Sequence, residues 1–513
     1  MLGALASAAD LANGFPLGKV LRTSILAATL ARHAGLGDAI TREAYFLSQL
    51  RYLGCTGFSH EEAHTYGAGN DVALRNTMSM ADAADKLGTV RAIWRGLAPG
   101  ASLLAKGRAV ARLLGDGDAV HDHASAQCGA ALALGRIGGM PEELVQRLAT
   151  ICERWDGLGE PHHLAGEAIP LAMRVHQLAD VVEIAHHRGG LAGARELVER
   201  RRGGQLDPTL SATFLAHAAD CDRALRTTTL WEDFVAAEPG PALAATPDQV
   251  DGIARAIGHF ADLKSVHLLG HSQRVAALAE ATADALGLGA EAGRALRRAG
   301  HLHDIGRVAI QTGIWDRPGP LGRLEWSEVR LHTHHTERIL SLSPAWDEVR
   351  AFACAAHEVP VGTGYHRGLV EAQLGTPARV LAACDTITAM GEDRPHRPAL
   401  PRDRLVAAVR DEVRAGRHDR QVVEAALHAA GLEAPPPVER RSQAGLSERE
   451  VEVLCWVARG KTNKEIAAIL SLSPKTVQHH VAHVYDKIGV YSRAGAAIFA
   501  MEQGLLAPTA RPA

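Results

Sequence analysis

The residues best suited to chemistry in this sequence are His303 and Asp304, adjacent in the stretch Ala299-Gly300-His301-Leu302-His303-Asp304-Ile305-Gly306-Arg307. An apolar helical pattern leads into the pair, and Gly306 stops it. Adjacent side chains on a helix project roughly 100° apart, so an imidazole and a carboxylate can flank one ion. That pairing suits a borderline or hard divalent metal, and a carboxylate can bridge two ions. Similar residues recur on both sides. His271 follows Gly270 and opens a helical stretch. His332 lies on a helical stretch that begins near Trp326. His357 closes a pattern over 349–356 and precedes Glu358, and Asp385 sits inside an apolar helical pattern over 378–390. These six imidazole and carboxylate groups on five helices can converge in the core of a bundle. The chain has 27 histidines, so any single one is better read as a surface or core residue. The order His, His-Asp, His, His, Asp is what favours a metal.

The elements that must position these groups are helices. Hydrophobic residues make up 47% of the 513 positions and aromatics only 4%. Alanine and leucine dominate and β-branched runs of period two are scarce, which predicts an all-α chain of two to four domains. The net charge of −3 excludes a chain that grips nucleic acid over its whole surface, so any DNA-binding role must sit in a local patch. Seven cysteines are scattered without a Cys-x-x-Cys, as expected of reduced thiols in a cytoplasmic protein. Met1-Leu2-Gly3-Ala4 has no basic lead, and no apolar run reaches the roughly 18 residues that a membrane helix needs.

Composition shifts divide the chain. Helical patterns run over 20–34, 39–53, 75–86, 100–114, 124–137, 141–152 and 168–187, with a Gly-rich turn at Trp155-Asp156-Gly157-Leu158-Gly159. A Pro/Gly linker at 236–241 closes this block, and the first domain is taken as 1–235. A second helical domain spans 249–432. The proline-stiffened linker Ala434-Pro435-Pro436-Pro437 leads to a compact third domain, 445–513. An internal echo links the first two. Each has a Gly-rich turn followed by a helix with one acidic residue, Asp180 in the first and Asp385 in the second.

In the third domain Ser447 and Glu450 form a capping box, Thr462 opens a second helix, and Ser473-Pro474 opens a third. Two short helices joined by a tight turn make a helix-turn-helix, whose second helix enters the DNA major groove. Its exposed face carries Lys475, Thr476, Gln478, His479 and Lys487, with Thr462 and Lys464 on the helix before it. Lysine and threonine suit phosphates, while glutamine and histidine can read base edges. An ordinary helical hairpin is the competing reading. Thr462-Asn463-Lys464-Glu465-Ile466-Ala467 and Ser473-Pro474-Lys475-Thr476-Val477 disfavour it, because together they resemble the LuxR-type DNA-binding domain. That resemblance implies binding to double-stranded DNA as a homodimer on a two-fold related site. Gln478 stands where that family usually has lysine.

The middle domain also resembles a family. The order His271, His303-Asp304, Asp385 is similar to that of the HD phosphohydrolase superfamily. Leu302–Gly306, Pro318-Gly319-Pro320-Leu321, Gly362-Thr363-Gly364-Tyr365 and Asp393-Arg394-Pro395-His396-Arg397-Pro398 resemble its HD-GYP branch over about 251–430. The resemblance implies an all-helical metal-dependent phosphohydrolase that binds iron or manganese and cleaves cyclic di-GMP or another phosphorylated nucleotide. It implies that His271, His303, Asp304 and Asp385 hold a first metal. Asp304 would bridge to a second, to which His332 contributes, with His357 the remaining candidate ligand. Asp304 and Arg307 become the catalytic candidates, and Gly364, Tyr365 and Arg394 the substrate contacts. Several positions depart from the pattern. Ala356 stands where a histidine usually precedes His357-Glu358, Arg307 replaces a lysine, and Val361 replaces an aspartate. His366 replaces a proline, and His267 a glutamate.

The first domain resembles a degenerate HD-GYP module used for sensing or dimerisation. It has no His-Asp-Ile-Gly, Cys152 stands where a histidine is wanted, and His121-Asp122-His123 reads as a solvated turn. Two functions follow. One is a DNA-binding transcriptional regulator whose HD module still hydrolyses a phosphodiester. The other is a regulator whose inactive module only senses metal or nucleotide.

Overall fold

The protein, described from a computed structural model, is visible over residues 1–66, 69–79, 81–82, 119–241, 245–432 and 446–506, with scattered positions between 88 and 111. It is all-α, as the composition predicts: no β-strand forms among the described residues, only isolated bridges such as Val361 with Val370. The chain divides into two compact units, Met1–Val250 and Asp251–Ala513. The helix-turn-helix domain clusters with the middle domain in the second of these. The proline linker at 435–437 lies outside the described residues, as do 83–86 of the helical pattern expected over 75–86 and most of the one over 100–114.

In the N-terminal unit the helices are α1 (Leu2–Ala12), α2 (Lys19–His33), α3 (Asp38–Leu50), α4 (Asp71–Met78), α5 (Ala119–Ile137), α6 (Glu142–Arg147), α7 (Leu171–Arg201), α8 (Pro208–Ala216), α9 (Ala218–Leu225) and α10 (Leu230–Ala237). Helix α7 bends at Gly190, whose φ of 62° is not helical. The stretch His121-Asp122-His123 is the first turn of α5 and not a loop: Ala119 onward already makes helical hydrogen bonds, and His121 and His123 pair with Glu160 and Glu62.

The second unit continues with α11 (Pro247–Asp262), α12 (His271–Ala285), α13 (Ala290–Leu302), α14 (Arg323–Leu340), α15 (Asp347–Ala353), α16 (Thr376–Met390), α17 (Arg402–Arg414) and α18 (Arg420–Ala429). The helix-turn-helix domain adds α19 (Glu448–Ala458), α20 (Asn463–Leu470), α21 (Pro474–Ile488) and α22 (Arg493–Glu502). Helices α12 and α13 form a hairpin that sets the site. Leu296, Ala299 and Leu302 recur at helical spacing and are buried, each leucine contributing about 1.5–3 kcal/mol. The pair approaches so closely that a Cβ on Gly300 would lie 2.4 Å from Ala276 Cα. Gly306 does the same against α14, where a Cβ would lie 1.9 Å from the His332 carbonyl oxygen. The two glycines let the His303-Asp304 turn sit directly between α12 and α14.

Candidate metal centre and DNA-binding helix

All six candidate ligands come together. His271 is the first residue of α12, and His303 and Asp304 turn the chain out of α13. His332 lies on α14, His357 just beyond α15, and Asp385 in the middle of α16. His357 thus follows a helix that ends at Ala353, earlier than its sequence pattern predicts. Asp304 is the hub. Its Oδ2 lies 3.0 Å from His303 Nε2 and 3.5 Å from His271 Nε2. Its Oδ1 lies 3.2 Å from both His332 Nε2 and His357 Nε2. Asp385 Oδ1 is 3.0 Å from His271 Nε2, and its Oδ2 is 3.3 Å from His357 Nδ1.

The far sides of three rings are tied down. His271 donates from Nδ1 to Glu392 Oε2 at 2.9 Å, His303 to the Gly300 carbonyl at 2.8 Å, and His332 to the Val329 carbonyl at 2.5 Å. A proton fixed on Nδ1 leaves the Nε2 lone pair to face inward, the arrangement that metal-binding histidines use. His303 Nε2, His332 Nε2 and Asp304 Oδ2 are buried, and no hydrogen bond of acceptable geometry reaches any of them. Lone pairs this close to one another are costly unless a metal ion or a proton joins them. The donor set, nitrogen and carboxylate oxygen together, fits a divalent transition metal.

The electrostatics agree. Burial works against charge on His303, but Asp304 and Asp385 outweigh it and raise its pKa to about 10. Burial dominates at His332 and lowers it to about 4. Burial alone would raise Asp304, yet Arg307 and His303 hold it well below the usual carboxylate range.

The neighbouring groups are less uniform. Arg307 Nη2 lies 2.8 Å from Asp304 Oδ2, and its Nε and Nη1 are buried without a hydrogen-bond partner. Tyr365 stacks on His357 at 5.3 Å with a 5° tilt. A Cβ on Gly364 would lie 2.5 Å from Glu358 Cα, so the loop can close there only without a side chain. Glu358 accepts the Arg367, Gly368 and Leu369 amides at 2.7, 3.2 and 2.9 Å, which closes that loop on Glu358. Arg394 lies at the edge of the centre, donating to Glu392 Oε2 at 2.8 Å and to the His267 carbonyl at 3.4 Å. Glu392 was not singled out by sequence reasoning. Burial would raise it, but His271, Arg274 and Arg394 hold it near 2. Its one sequence signal is its place directly before the Asp393–Pro398 motif.

In the C-terminal domain, Ser447, Thr462 and Ser473 cap their helices as expected. Lys475, Thr476, Gln478 and His479 form an exposed row on α21, with Lys464 exposed on α20. Thr462 spends its hydroxyl on the capping box with Glu465. Lys487 donates to Glu450 at 2.7 Å, which ties α21 to α19.

Family models match this architecture in two places. Residues 256–422 match the HD domain, and residues 444–500 match the luxR family of bacterial regulatory proteins. The chain joins an HD domain to a luxR-family DNA-binding domain. The chain is similar to a 3'3'-cGAMP-specific phosphodiesterase of Vibrio cholerae, 32% identical over 276 residues, or 53% of this chain and 60% of that one. The chain therefore spans about three fifths of that relative's length. The luxR-family domain is 43% identical over 61 residues to the transcriptional regulatory protein LiaR of Bacillus subtilis, 12% of this chain and 29% of that protein. Among solved structures, a cyclic GMP-AMP specific phosphodiesterase of Vibrio cholerae shares the fold. Its TM-score is 0.56 at 23% identity, covering 84% of this chain and 97% of that one. No helix among the described residues is long and apolar enough to cross a membrane.

The N-terminal unit holds a centre of different chemistry. Lys19 is the first residue of α2, after Gly18 with φ 90°, much as His271 follows Gly270 with φ 76°. The buried Lys19 ammonium pairs with Asp180 on α7, and Tyr52 donates to the other Asp180 oxygen at 2.8 Å. A Cβ on Gly54 would meet the Gln127 carbonyl at 1.9 Å, the same clash that Gly306 makes with His332. Glu153 accepts two loop amides at 2.8 Å, as Glu358 does. Cys152 lies 3.7 Å from Gln127 Oε1.

Proposed function

We propose that this protein is a DNA-binding transcriptional regulator whose HD domain is a metal-dependent phosphodiesterase for a cyclic dinucleotide. The observation that carries this is the inward convergence of His271, His303, His332 and His357 on Asp304 and Asp385, with three rings fixed from behind. His271, His303, Asp304 and Asp385 would hold one ion, and Asp304 with His332 and His357 a second. Iron or manganese suits this mixed imidazole and carboxylate set. When bound, such ions supply Lewis acidity and activate water near neutral pH.

The chain's own residues do the rest. Arg307 keeps Asp304 ionised and offers two unpartnered N–H edges to phosphate oxygens. Tyr365 stacks on the His357 ring, and Glu358 holds the loop that carries Tyr365. Lys475, Thr476, Gln478 and His479 would contact DNA, and a luxR-family domain calls for two copies on a two-fold site. The test is elemental analysis of the purified chain alongside turnover of cyclic di-GMP and 3'3'-cGAMP. Metal with turnover that Asp304→Asn abolishes supports the proposal, and a metal-free chain refutes it.

A second reading, binding without hydrolysis, rests on Ala356. It is buried beside His357 and brings no ligating atom where the resemblance calls for a histidine. Metal without turnover would favour it.

We infer further that the N-terminal unit is a degenerate copy of the HD domain. Lys19, Arg51, Tyr52, Gln127, Cys152 and Asp180 take the places of His271, His303, Asp304, His332, His357 and Asp385. In this copy the Lys19 ammonium supplies the positive charge that an ion supplies in the other.

A further inference from the structure

One cluster in the N-terminal unit is used by neither centre. His33 is the last residue of α2, His217 lies between α8 and α9, and Asp220 is in the first turn of α9. The two imidazole rings stack with centroids 4.1 Å apart and planes 15° from parallel. Asp220 Oδ2 lies 3.5 Å from His33 Nε2. One ligand atom from each of the three residues falls within 4.8 Å of the others.

From this juxtaposition we infer that His33, His217 and Asp220 form a separate site for a divalent transition ion of the Zn²⁺, Co²⁺ or Ni²⁺ class. Two imidazoles and one carboxylate suit borderline ions and leave coordination positions for water. Ligand atoms on one such ion lie at most about 4.2 Å apart, twice a bond of about 2.1 Å. Neighbouring donors on a tetrahedral ion sit closer, about 3.4 Å apart, so the His33–Asp220 pair already fits and His217 must turn out of the stack to join it. Asp220 is divided in a useful way. Its Oδ1 pairs with the exposed Arg223, and its Oδ2 faces His33. All three residues are half-buried, so an ion can enter from solvent without unfolding the unit. The neighbouring Cys221 is not a ligand candidate: burial, with Asp220 beside it, pushes its thiol up to about 12. A bound ion would pin the C-terminal end of α2 to the α8–α9 turn. The same helix begins at Lys19, so the ion would also steady the Lys19–Asp180 centre.

The experiment uses the full chain, stripped with chelator and dialysed against Zn²⁺ in the presence of excess Mg²⁺. Metal per chain is measured in wild type, His33→Gln, His217→Gln and Asp304→Asn, with circular dichroism to confirm the fold of each. The wild type should hold one more ion per chain than His33→Gln or His217→Gln, and that difference decides the matter whatever the Asp304 centre holds. Asp304→Asn should keep the ion that the histidine variants lose. Loading with Co²⁺ gives an independent readout: part of the visible absorption should disappear in His217→Gln. Equal ion counts and equal Co²⁺ spectra in wild type and both histidine variants would overturn the site.

Discussion

His259 Nε2 lies 2.5 Å from Glu502 Oε1, and this contact joins α11 of the HD domain to α22, the last helix of the luxR-family domain. Arg255 Nε lies 3.6 Å from Glu502 Oε2. His259 is buried and Glu502 half-buried, so the pair is shielded from water. Beside it, a Cβ on Gly270 would lie 3.7 Å from Met501 Cγ, and the next residue is His271. The DNA-binding domain thus rests one residue away from a candidate metal ligand.

That contact predicts coupling. Glu502→Gln should release α22 and tighten DNA binding, and His259→Gln should do the same. A coupling of about 1–3 kcal/mol, roughly 5–150-fold, is typical of linked sites. The double variant should fall short of the sum, because both changes remove one interaction. Fluorescence anisotropy with operator DNA measures this, and three variants with wild-type affinity would exclude it.

Glu392 gives a second prediction. It holds His271 by Nδ1, so Glu392→Ala should leave the ring free to turn or change tautomer. Loss of such an outer partner lowers metal affinity about 10–100-fold. Competition with a chromophoric chelator would read this. An unchanged affinity would mean that Gly270 and packing alone fix the ring.

The raised pKa of His303 sets a pH dependence. Without metal the ring is charged at pH 7, with a folded value of about 10 against an unfolded value of roughly 6.5. The stabilisation from that charge is fully present below about pH 6.5 and is lost as pH rises through about 10. Metal must displace the proton, so binding at pH 7 should release protons and tighten as pH rises. Calorimetry in buffers of different ionisation heat counts them. Heats independent of the buffer would contradict the assignment.

The Lys19–Asp180 pair predicts the behaviour of the N-terminal unit. Both groups are buried, so Lys19→Met should leave an unpaired carboxylate and cost about 3–5 kcal/mol, measured by denaturant unfolding. Burial opposes the Asp180 charge, yet Lys19 and its neighbours lower the pKa to about 2. A depressed carboxylate stabilises above its unfolded pKa of roughly 3.9, and the contribution of about 2 kcal/mol is lost as pH falls through about 2. Asp180→Asn should remove that acid limb. A full acid limb in the variant would assign the transition to other carboxylates.

At the DNA-binding helix, Lys475 and Lys487 should differ. Lys475 is exposed, so Lys475→Ala should weaken binding to all sequences and flatten its salt dependence by about one counterion. Lys487 is engaged with Glu450, and Lys487→Ala should leave the salt slope nearly unchanged. Gln478→Ala should change sequence preference more than bulk affinity. Equal salt slopes for the two lysine variants would show that Lys487 leaves Glu450 on binding.

The sequence by itself determined what depends on near neighbours along the chain. The capping residues Ser447, Thr462 and Ser473 act within three residues of themselves, and a helix-turn-helix follows from them locally. The His303-Asp304 dipeptide and its glycine stop are equally local, and the spacing of the other ligands was legible because each falls on an apolar helical pattern. Tertiary structure alone decided which far-apart polar groups meet. Glu392 reaches His271 across 121 positions, Asp180 reaches Lys19 across 161, and Glu502 reaches His259 across 243. No periodicity marks such residues. A carboxylate is drawn to whichever cation the packed helices bring within a few ångströms, and burial, which the sequence does not specify, makes that attraction strong.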